Sequence, residues 1–282
     1  MANMRAIRTR IKSIESTRQI TKSMKMVSAA KRRRTQTAVA NLRNFSEKSR
    51  AILAHLSGRA TGADNPFLTP RGEIKRRCYV IFVGNRGLCG VYNSALAHYA
   101  EQQIAADGGE GFAVIVGRWG KEGFASAGLD IKRTFDEMSD TPGASDAGEL
   151  TEYLKGLYLS GEADEIVLIY QQFKSVLAQT PGRMTLLPVP PQAGGESAGE
   201  YIFEPDEESV LSSLVELYIS NAVYSVLLEA KAGEHSARMT AMTAATDNTE
   251  ELISSLTLEL NHARQAAITT EISEIVGGSA ML

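Results

Sequence analysis

Glycine and proline are absent from residues 1–57, and residues 206–276 contain a single glycine, Gly233. All eight prolines and 21 of the 24 glycines lie in the interval 58–205. Both breaker-free segments are far longer than the usual helix of about 11–12 residues. Such length without a break predicts an extended helix of the coiled-coil kind at each end of the chain.

Cysteine is scarce too, because Cys78 and Cys89 are the only two in 282 residues. They provide neither a disulfide framework nor a zinc cluster, which favours a reducing compartment. No uninterrupted apolar run approaches the roughly 18 residues of a membrane helix. The four histidines have no metal-ligand spacing, and no acid, base or nucleophile pattern is recognisable. The sequence therefore predicts neither a metal site nor a catalytic centre.

Charge is unevenly divided, although the net charge is only −3. Residues 1–50 hold 14 Lys/Arg and two acidic residues, a net charge of +12. Residues 206–282 hold 12 acidic and three basic residues, a net charge of −9. Opposite charges of this size favour two ends that lie side by side, or an arm that binds an acidic partner.

Apolar residues recur in both terminal segments at the alternating three- and four-residue spacing of a heptad repeat. We call these positions the heptad stripe. In the first segment the stripe comprises Ile7, Ile11, Ile14, Met24, Leu42, Phe45, Ile52 and Leu56. In the last it comprises Leu214, Leu217, Tyr224, Leu228, Met242, Ala245, Leu252 and Leu256, with polar interruptions at Asn221, Lys231, His235, Arg238 and Thr249. Helices this long are expected to protrude from a compact domain, and we expect the polar interruptions to serve contacts with partners.

The middle of the chain alternates strands with helices. Strands are predicted at 78–83, 112–116, 165–170 and 184–189, and helices at 92–106 and 147–159. Strands separated by helices indicate a mainly parallel sheet with crossover helices. The predicted fold class is α/β, with an N-terminal coiled-coil helix at 1–60, a central α/β domain at 61–205 and a C-terminal coiled-coil helix at 206–282.

Three glycines with the spacing G-x-x-G-x-x-G lie at 84–90, between a predicted strand and a predicted helix. A phosphate-binding loop would occupy this place, but the spacing matches neither the dinucleotide fingerprint nor a P-loop. We favour a tight turn in which glycine permits positive φ, and on this interpretation no cofactor is expected. One alternative stays open: a Rossmann oxidoreductase that binds NAD or FAD at 84–90.

A basic cluster at 31–34, with Lys22 and Lys25 upstream, raises a second alternative, a nucleic-acid-binding arm. No aromatic residue precedes Phe45, and the isoelectric point is about 5.9. We therefore favour a solvated helix face beside acidic neighbours over contact with nucleic acid.

Several stretches resemble the γ subunit family of F-type ATP synthases, and together they extend over almost the whole chain. They are IRTRIKSI at 7–14, TRQITKSMKMVSAAK at 17–31, RGLCGVYN at 86–93, EHSARMTAMTAATDN at 234–248, NHARQAAITTEI at 261–272 and EIVGG at 274–278. The resemblance implies that the terminal helices form an antiparallel coiled coil and that the central domain is Rossmann-like, without a nucleotide.

The resemblance also implies a rotor, with one copy in each complex, and not an enzyme. Its expected partners are the α and β subunits, as an α3β3 hexamer, the ε subunit and the membrane c-ring. Proton flow through the c-ring would turn the chain and change the state of the catalytic β subunits in sequence. No clear transit extension precedes Ile7, so a peripheral place on the cytoplasmic side of a bacterial inner membrane is expected.

Contacts of three kinds are carried over to matching positions. Catch-loop contacts with α and β are expected at Arg238, Arg264, Gln265 and Thr269. Contacts with the lever segment of β are expected at Met24 and Lys25, and contacts of the foot with the c-ring at Tyr201 and Glu204. No residue is assigned to catalysis, to a cofactor or to a metal.

Overall fold

The fold consists of helices and a single described sheet. The computed structural model describes residues 2–57, 65–108, 111–120, 123–124, 129–175, 178–190, 204 and 206–279. In chain order the elements are α1 (Ala2–Ser57), β1 (Arg77–Phe82), α2 (Tyr92–Ala106), β2 (Gly111–Val116), β3 (Ile131–Phe135), α3 (Ala144–Leu159), β4 (Glu165–Phe173), β5 (Gln179–Leu187) and α4 (Glu207–Ser279). The predicted fold class, two long terminal helices with a central α/β domain, is confirmed.

Two units with their own packing divide the chain. One consists of Met1–Ser28 with Arg238–Leu282, and the other of Ala29–Ala237. The first therefore contains helical segments only, from α1 and α4, and we call it the helix-pair unit. The second contains the sheet, α2, α3 and the remaining parts of α1 and α4, and we call it the hub.

The hub sheet has the strand order β3-β2-β1-β4-β5. The neighbours β3, β2, β1 and β4 are parallel, and β5 pairs antiparallel with β4 at one edge. Parallel neighbours require crossovers, because a tight turn joins only antiparallel strands. Helix α2 supplies the crossover from β1 to β2, and α3 supplies the one from β3 to β4. The prediction of a mainly parallel sheet with crossover helices is confirmed.

Alternate residues of the central strands face opposite sides of the sheet, as the two-residue period of a strand requires. On one side Tyr79 and Ile81 of β1 pack in a cluster with Leu96 of α2. On the other side Val80 and Phe82 pack with residues of α1, α3 and α4. These central strands are buried on both faces, which explains why they are continuous apolar runs in the sequence.

Strand β3 is absent from the strands that the sequence predicts. Its sequence, IKRTF, places Lys132 and Arg133 in a five-residue element, and both side chains are exposed. An edge strand faces solvent along one side and tolerates such charges, which also block pairing with other chains. Strand β3 therefore lacks the continuous apolar run by which buried strands are predicted from the sequence. The last strand is also longer than predicted at its start, because β5 begins at Gln179 and includes Pro181 and Gly182.

Helix α4 has 73 residues and α1 has 56. Within the described chain α4 is also the one helix that is long and apolar enough to cross a membrane, with a window of mean hydropathy 1.4. Its Val215, Ile219 and Val223 belong to the core cluster of the hub. Packing in the hub therefore accounts for part of this apolar content, since 33% of the window is buried.

Candidate functional site

The carboxyl edge of β1 and β4 is the place where a doubly wound sheet usually binds a ligand. Strand β1 lies between β2 and β4, so the connections leave it in opposite directions and open a crevice between the strand ends. The glycine turn at 84–90 follows β1 at this edge, and Gln171 lies on the last part of β4. Any nucleotide-binding function of the hub would be expected here.

A segment of α4, residues 230–235, occupies this crevice. A Cβ atom added to Gly84 would lie 3.0 Å from the carboxylate carbon of Glu234. The phenol of Tyr92 donates a hydrogen bond of 2.7 Å to the carbonyl of Ala230. The side-chain amide of Gln171 in turn donates to the carbonyl of Tyr92, at 3.0 Å. The chain's own helix thus fills the place of a bound cofactor.

Contacts of Asn93 with two residues of the glycine turn help to hold the turn in place. The amide of Gly84 donates to Oδ1 of Asn93 at 2.9 Å, and Nδ2 of Asn93 lies 3.4 Å from the sulfur of Cys89. Gly90 has a φ of 59°, as expected of a tight turn, and Leu88 reaches a φ of 60° without being glycine. The geometry does not support the oxidoreductase alternative, because the side chain of Glu234 lies against Gly84, where a phosphate of NAD or FAD would bind.

Gly233 allows α4 to approach the sheet closely. Glycine within a helix costs roughly 1 kcal/mol relative to alanine. A Cβ atom at this position would lie 3.2 Å from Cε2 of Tyr92 and 3.8 Å from the carbonyl oxygen of Gln171. The one glycine in an otherwise glycine-free segment is therefore explained by close packing in the crevice.

The same segment of α4 carries a buried ion pair and contacts further charged residues. Lys231 and Glu234 form an ion pair of 3.0 Å, with only 4% and 2% of their side chains exposed. Nε2 of His235 lies 2.8 Å from the carbonyl oxygen of Asp140 in the loop before α3. Lys31 of α1 reaches the carboxylate of the same aspartate at 2.5 Å. The polar interruptions Lys231 and His235 thus act inside the hub, which corrects the expectation that they serve partners.

Asp140 is the charged centre of this network. Burial raises the pKa of its carboxyl, but the hydrogen bond from Lys31 and the charges of Lys31, Lys231 and His235 outweigh burial, so the pKa is lowered. The ionised form therefore contributes to the stability of the hub. Because Lys31 is engaged in this way, one of the four basic residues at 31–34 is not free to bind a nucleic acid.

The helix-pair unit is an antiparallel pair. The hydroxyl oxygens of Thr21 and Thr246 lie 2.9 Å apart, and Nη1 of Arg18 lies 4.0 Å from Oε1 of Glu250. A step backward along α1 thus corresponds to a step forward along α4. The Arg18–Glu250 pair is largely exposed, so it contributes little, whereas the buried threonine pair fixes the register.

Several buried positions at heptad spacing lie outside the heptad stripe and carry hydroxyl side chains. Every seventh residue of α1 from Thr21 is buried through Ser28 and Thr35, and on α4 His235, Met242, Thr249 and Leu256 follow the same interval. Three residues assigned to the stripe from the sequence are instead exposed, namely Phe45, Leu217 and Leu252. The assignment was wrong there because it required apolar side chains, while small hydroxyl side chains let the helices approach closely.

The last part of α4 has no core of its own within the described chain. Among the side chains described after Leu256, none is buried. Large apolar side chains in this part are 49–66% exposed; they are Leu258, Ile268, Ile272, Ile275 and Val276. An isolated helix is marginal in water, and exposed apolar side chains in a row mark a binding surface. This part of α4 is therefore the candidate functional site.

Comparison with known proteins identifies the family. A sequence profile described as ATP synthase matches residues 3–282. The ATP synthase γ chain of Desulforamulus reducens is 44% identical over 284 residues, covering all of both chains. The chain belongs to the ATP synthase γ chain family. The γ chain of Pelotomaculum thermopropionicum is also 44% identical over the full length of both chains.

Solved structures share the fold of this γ chain family member. A chain of the Euglena gracilis mitochondrial ATP synthase rotor, in rotational state 1, has a TM-score of 0.65 at 19% identity, covering 95% of this chain and 99% of that one. A chain of the Tetrahymena thermophila mitochondrial ATP synthase central stalk and c-ring has a TM-score of 0.57 at 24% identity, covering 80% and 99%. Both structural alignments cover more than two thirds of this chain.

The residues expected to contact partners lie in different surroundings in this chain. Arg264, Gln265 and Thr269 are exposed on the last part of α4, within the candidate site. Arg238 is only 8% exposed, so its guanidinium is largely covered by the chain itself.

The remaining expected contacts divide between α1 and the foot. Met24 and Lys25 are half-buried on α1, and Glu204 is exposed shortly before α4. Tyr201 lies outside the described residues. The contacts of all these residues with partners stay predictions.

Replacing Gly233 with leucine tests the filled crevice. We expect Gly233→Leu to lower the free energy of unfolding by about 2 kcal/mol, because Tyr92 is hydrogen-bonded and cannot move aside. Gly277→Leu on the same helix is the control, since nothing lies within 4 Å of a Cβ atom there. Urea unfolding of the full chain measures both. Equal stability of the two variants would contradict close packing at Gly233.

The lowered pKa of Asp140 predicts how stability depends on pH. The folded chain holds the proton of Asp140 less tightly than the unfolded chain, so this contribution is present above a pH of about 3.9 and is lost as the pH falls below it. Asp140→Asn is expected to cost about 1 kcal/mol at neutral pH and to flatten the acid limb of the stability curve. Asp130→Asn, at an exposed position, is the control. An unchanged acid limb in Asp140→Asn would refute the assignment.

Proposed function

We propose that this chain is the rotor of an F1Fo ATP synthase, present in one copy per complex as its central stalk. In this role it couples proton flow through the c-ring to the conformational cycle of the catalytic β subunits. It is needed for proton flow and for the regulation of ATPase activity, but it performs no catalysis itself. Membership of the γ chain family supports this assignment.

The uncovered end of α4 is the observation that carries the proposal. Residues 257–279 form helix although none of their described side chains is buried. Ile268, Ile272, Ile275 and Val276 are 49–66% exposed, and no charged side chain follows Glu274. An apolar helix end without charge is suited to a collar that surrounds it and holds no fixed ion pair. An α3β3 hexamer provides such a collar.

Charged groups next to this apolar end are suited to transient contacts. Arg264 is exposed among apolar neighbours, two turns before Glu271. A guanidinium makes charge-assisted hydrogen bonds to acidic loops, each worth about 1.5–3 kcal/mol. A rotor meets three equivalent β subunits in turn, so it requires contacts that form at one angle and break at the next. Met24 and Lys25 are proposed to meet the lever segment of β in the same manner.

The filled crevice supports a mechanical role for the hub. Glu234 and Gly233 close the place where a doubly wound domain would hold a nucleotide. On this proposal the hub is a rigid base for α4, Glu204 and Tyr201 are contact residues for the c-ring, and ε is a further partner. On this proposal the complex is peripheral to the cytoplasmic side of a bacterial inner membrane, and adenine nucleotide chemistry belongs to β.

Replacing Arg264 with alanine tests the rotor proposal. In the assembled complex, Arg264→Ala should lower ATP-driven proton pumping by up to roughly tenfold, because one charge-assisted bond to the collar is lost. The isolated variant should unfold at the same urea concentration as the parent chain, since Arg264 is exposed.

Lys174→Ala is the matched control, because Lys174 is an exposed cation on the turn between β4 and β5. It should leave both proton pumping and stability unchanged. Pumping by Arg264→Ala at the level of the control would contradict the proposed contact.

A further inference from the structure

A partly open cavity of about 180 Å³ lies within the hub. Ser49 of α1, Tyr170 of β4 and Met184 of β5 form part of its wall. The rest is one face of α4, and its last lining residue, Glu229, directly precedes the segment that fills the crevice. Neither the family assignment nor the proposed rotor function gives this cavity a role.

Three polar residues of α4 line the cavity at four-residue intervals. They are Asn221, Ser225 and Glu229, which lie one above another on the same helix face. Nδ2 of Asn221 is buried and has no hydrogen-bond partner among the described residues. A buried donor without an acceptor is costly, so its presence points to a group that the cavity holds. Asn221 is also one of the polar interruptions of the heptad stripe.

Glu229 gives the cavity a carboxyl group. One of its oxygens accepts a hydrogen bond of 2.9 Å from the backbone amide of Phe173. Burial raises the pKa of this carboxyl, and the bond from Phe173 offsets that effect only in part. Among the described lining residues there is no lysine, arginine or histidine. The described part of the wall therefore offers a carboxyl group and no cation to pair with it.

The remaining wall favours an organic cation over a metal ion. Tyr170 and Tyr218 line the cavity and are only 7% and 9% exposed, and Met184 adds an apolar, polarisable side chain. Aromatic rings attract ammonium groups, and thioethers pack well on ring edges. A cavity of roughly 150 Å³ is known to hold a benzene molecule, so this one has room for a single ring with a short polar chain.

We propose that this cavity binds a small aryl amino alcohol as its ammonium form. The ammonium group pairs with the carboxylate of Glu229, and the hydroxyl oxygen accepts the hydrogen bond that Asn221 offers. The ring lies against Met184 and the two tyrosines. Because the wall combines α1, α4 and two strands, an occupant of this cavity contacts all four elements and stabilises the hub.

Binding of phenylethanolamine to the full-length chain tests the proposal. Calorimetry at neutral pH should detect one site, and the methyl resonance of Met184 should shift as the compound is added, identified by its absence in Met184→Leu. Phenylethanol, which has the same ring and hydroxyl but no ammonium group, should bind at least tenfold more weakly.

Two variants complete the test. Glu229→Gln should weaken phenylethanolamine at least tenfold and leave phenylethanol unchanged, whereas Glu208→Gln, at an exposed position on the same helix, should change neither. Equal affinity for the two compounds would overturn the assignment of an ammonium ligand. The absence of binding, with only water in the cavity, would overturn the site itself. The comparison of two compounds on the parent chain holds even if Glu229→Gln does not fold.

Discussion

Contact between α4 and the carboxyl edge of the sheet is the interaction on which the rest of this structure depends. Gly233 admits the helix to within van der Waals distance of Tyr92, and Glu234 lies against Gly84. The phenol of Tyr92 and the amide of Gln171 then link the helix, the turn and β4 by hydrogen bonds. One helix thereby closes the crevice in which a doubly wound domain would bind a nucleotide, and it becomes firmly anchored.

The anchored helix continues far beyond the hub, and its later residues have a different character. Thr246 and Thr249 are buried against small partners, so the pair is held by close approach and a few hydroxyl contacts. Beyond Leu256 the described side chains are uncovered, although several are large and apolar. A rotor requires two features: a rigid base, and an end whose exposed surface other subunits cover. Helix α4 contributes to both.

Much of the fold could be predicted from the sequence, because its signals are local. The absence of glycine and proline predicts the two long helices, and the apolar runs predict the buried strands. Strand β3 was missed because Lys132 and Arg133 conceal a short edge strand. Phe45, Leu217 and Leu252 were placed wrongly because the heptad stripe was assumed to be apolar.

The candidate site and the crevice were likewise predictable from the sequence only in part. The apolar end at 275–282 is visible as composition, but the contact between Gly84 and Glu234 joins residues 150 positions apart and has no local signal. Asn221, Lys231 and His235 are all polar interruptions of the heptad stripe in the sequence. In the structure Asn221 lines a cavity, Lys231 forms a buried ion pair, and His235 contacts a loop carbonyl. Only the structure separates these roles. The roles expected of Arg264, Gln265 and Thr269 depend on partners, so neither the sequence nor a single chain fixes them.

Amide hydrogen exchange of residues 257–279 tests the central claim, that this part of α4 has no core of its own and is completed by partners. In the isolated full-length chain these amides should exchange far faster than those of residues 215–235, which are anchored in the hub. Assembly with the α and β subunits should slow them to rates similar to those of the anchored segment. Strong protection of residues 257–279 in the isolated chain, or rapid exchange that persists in the assembled complex, would contradict the account.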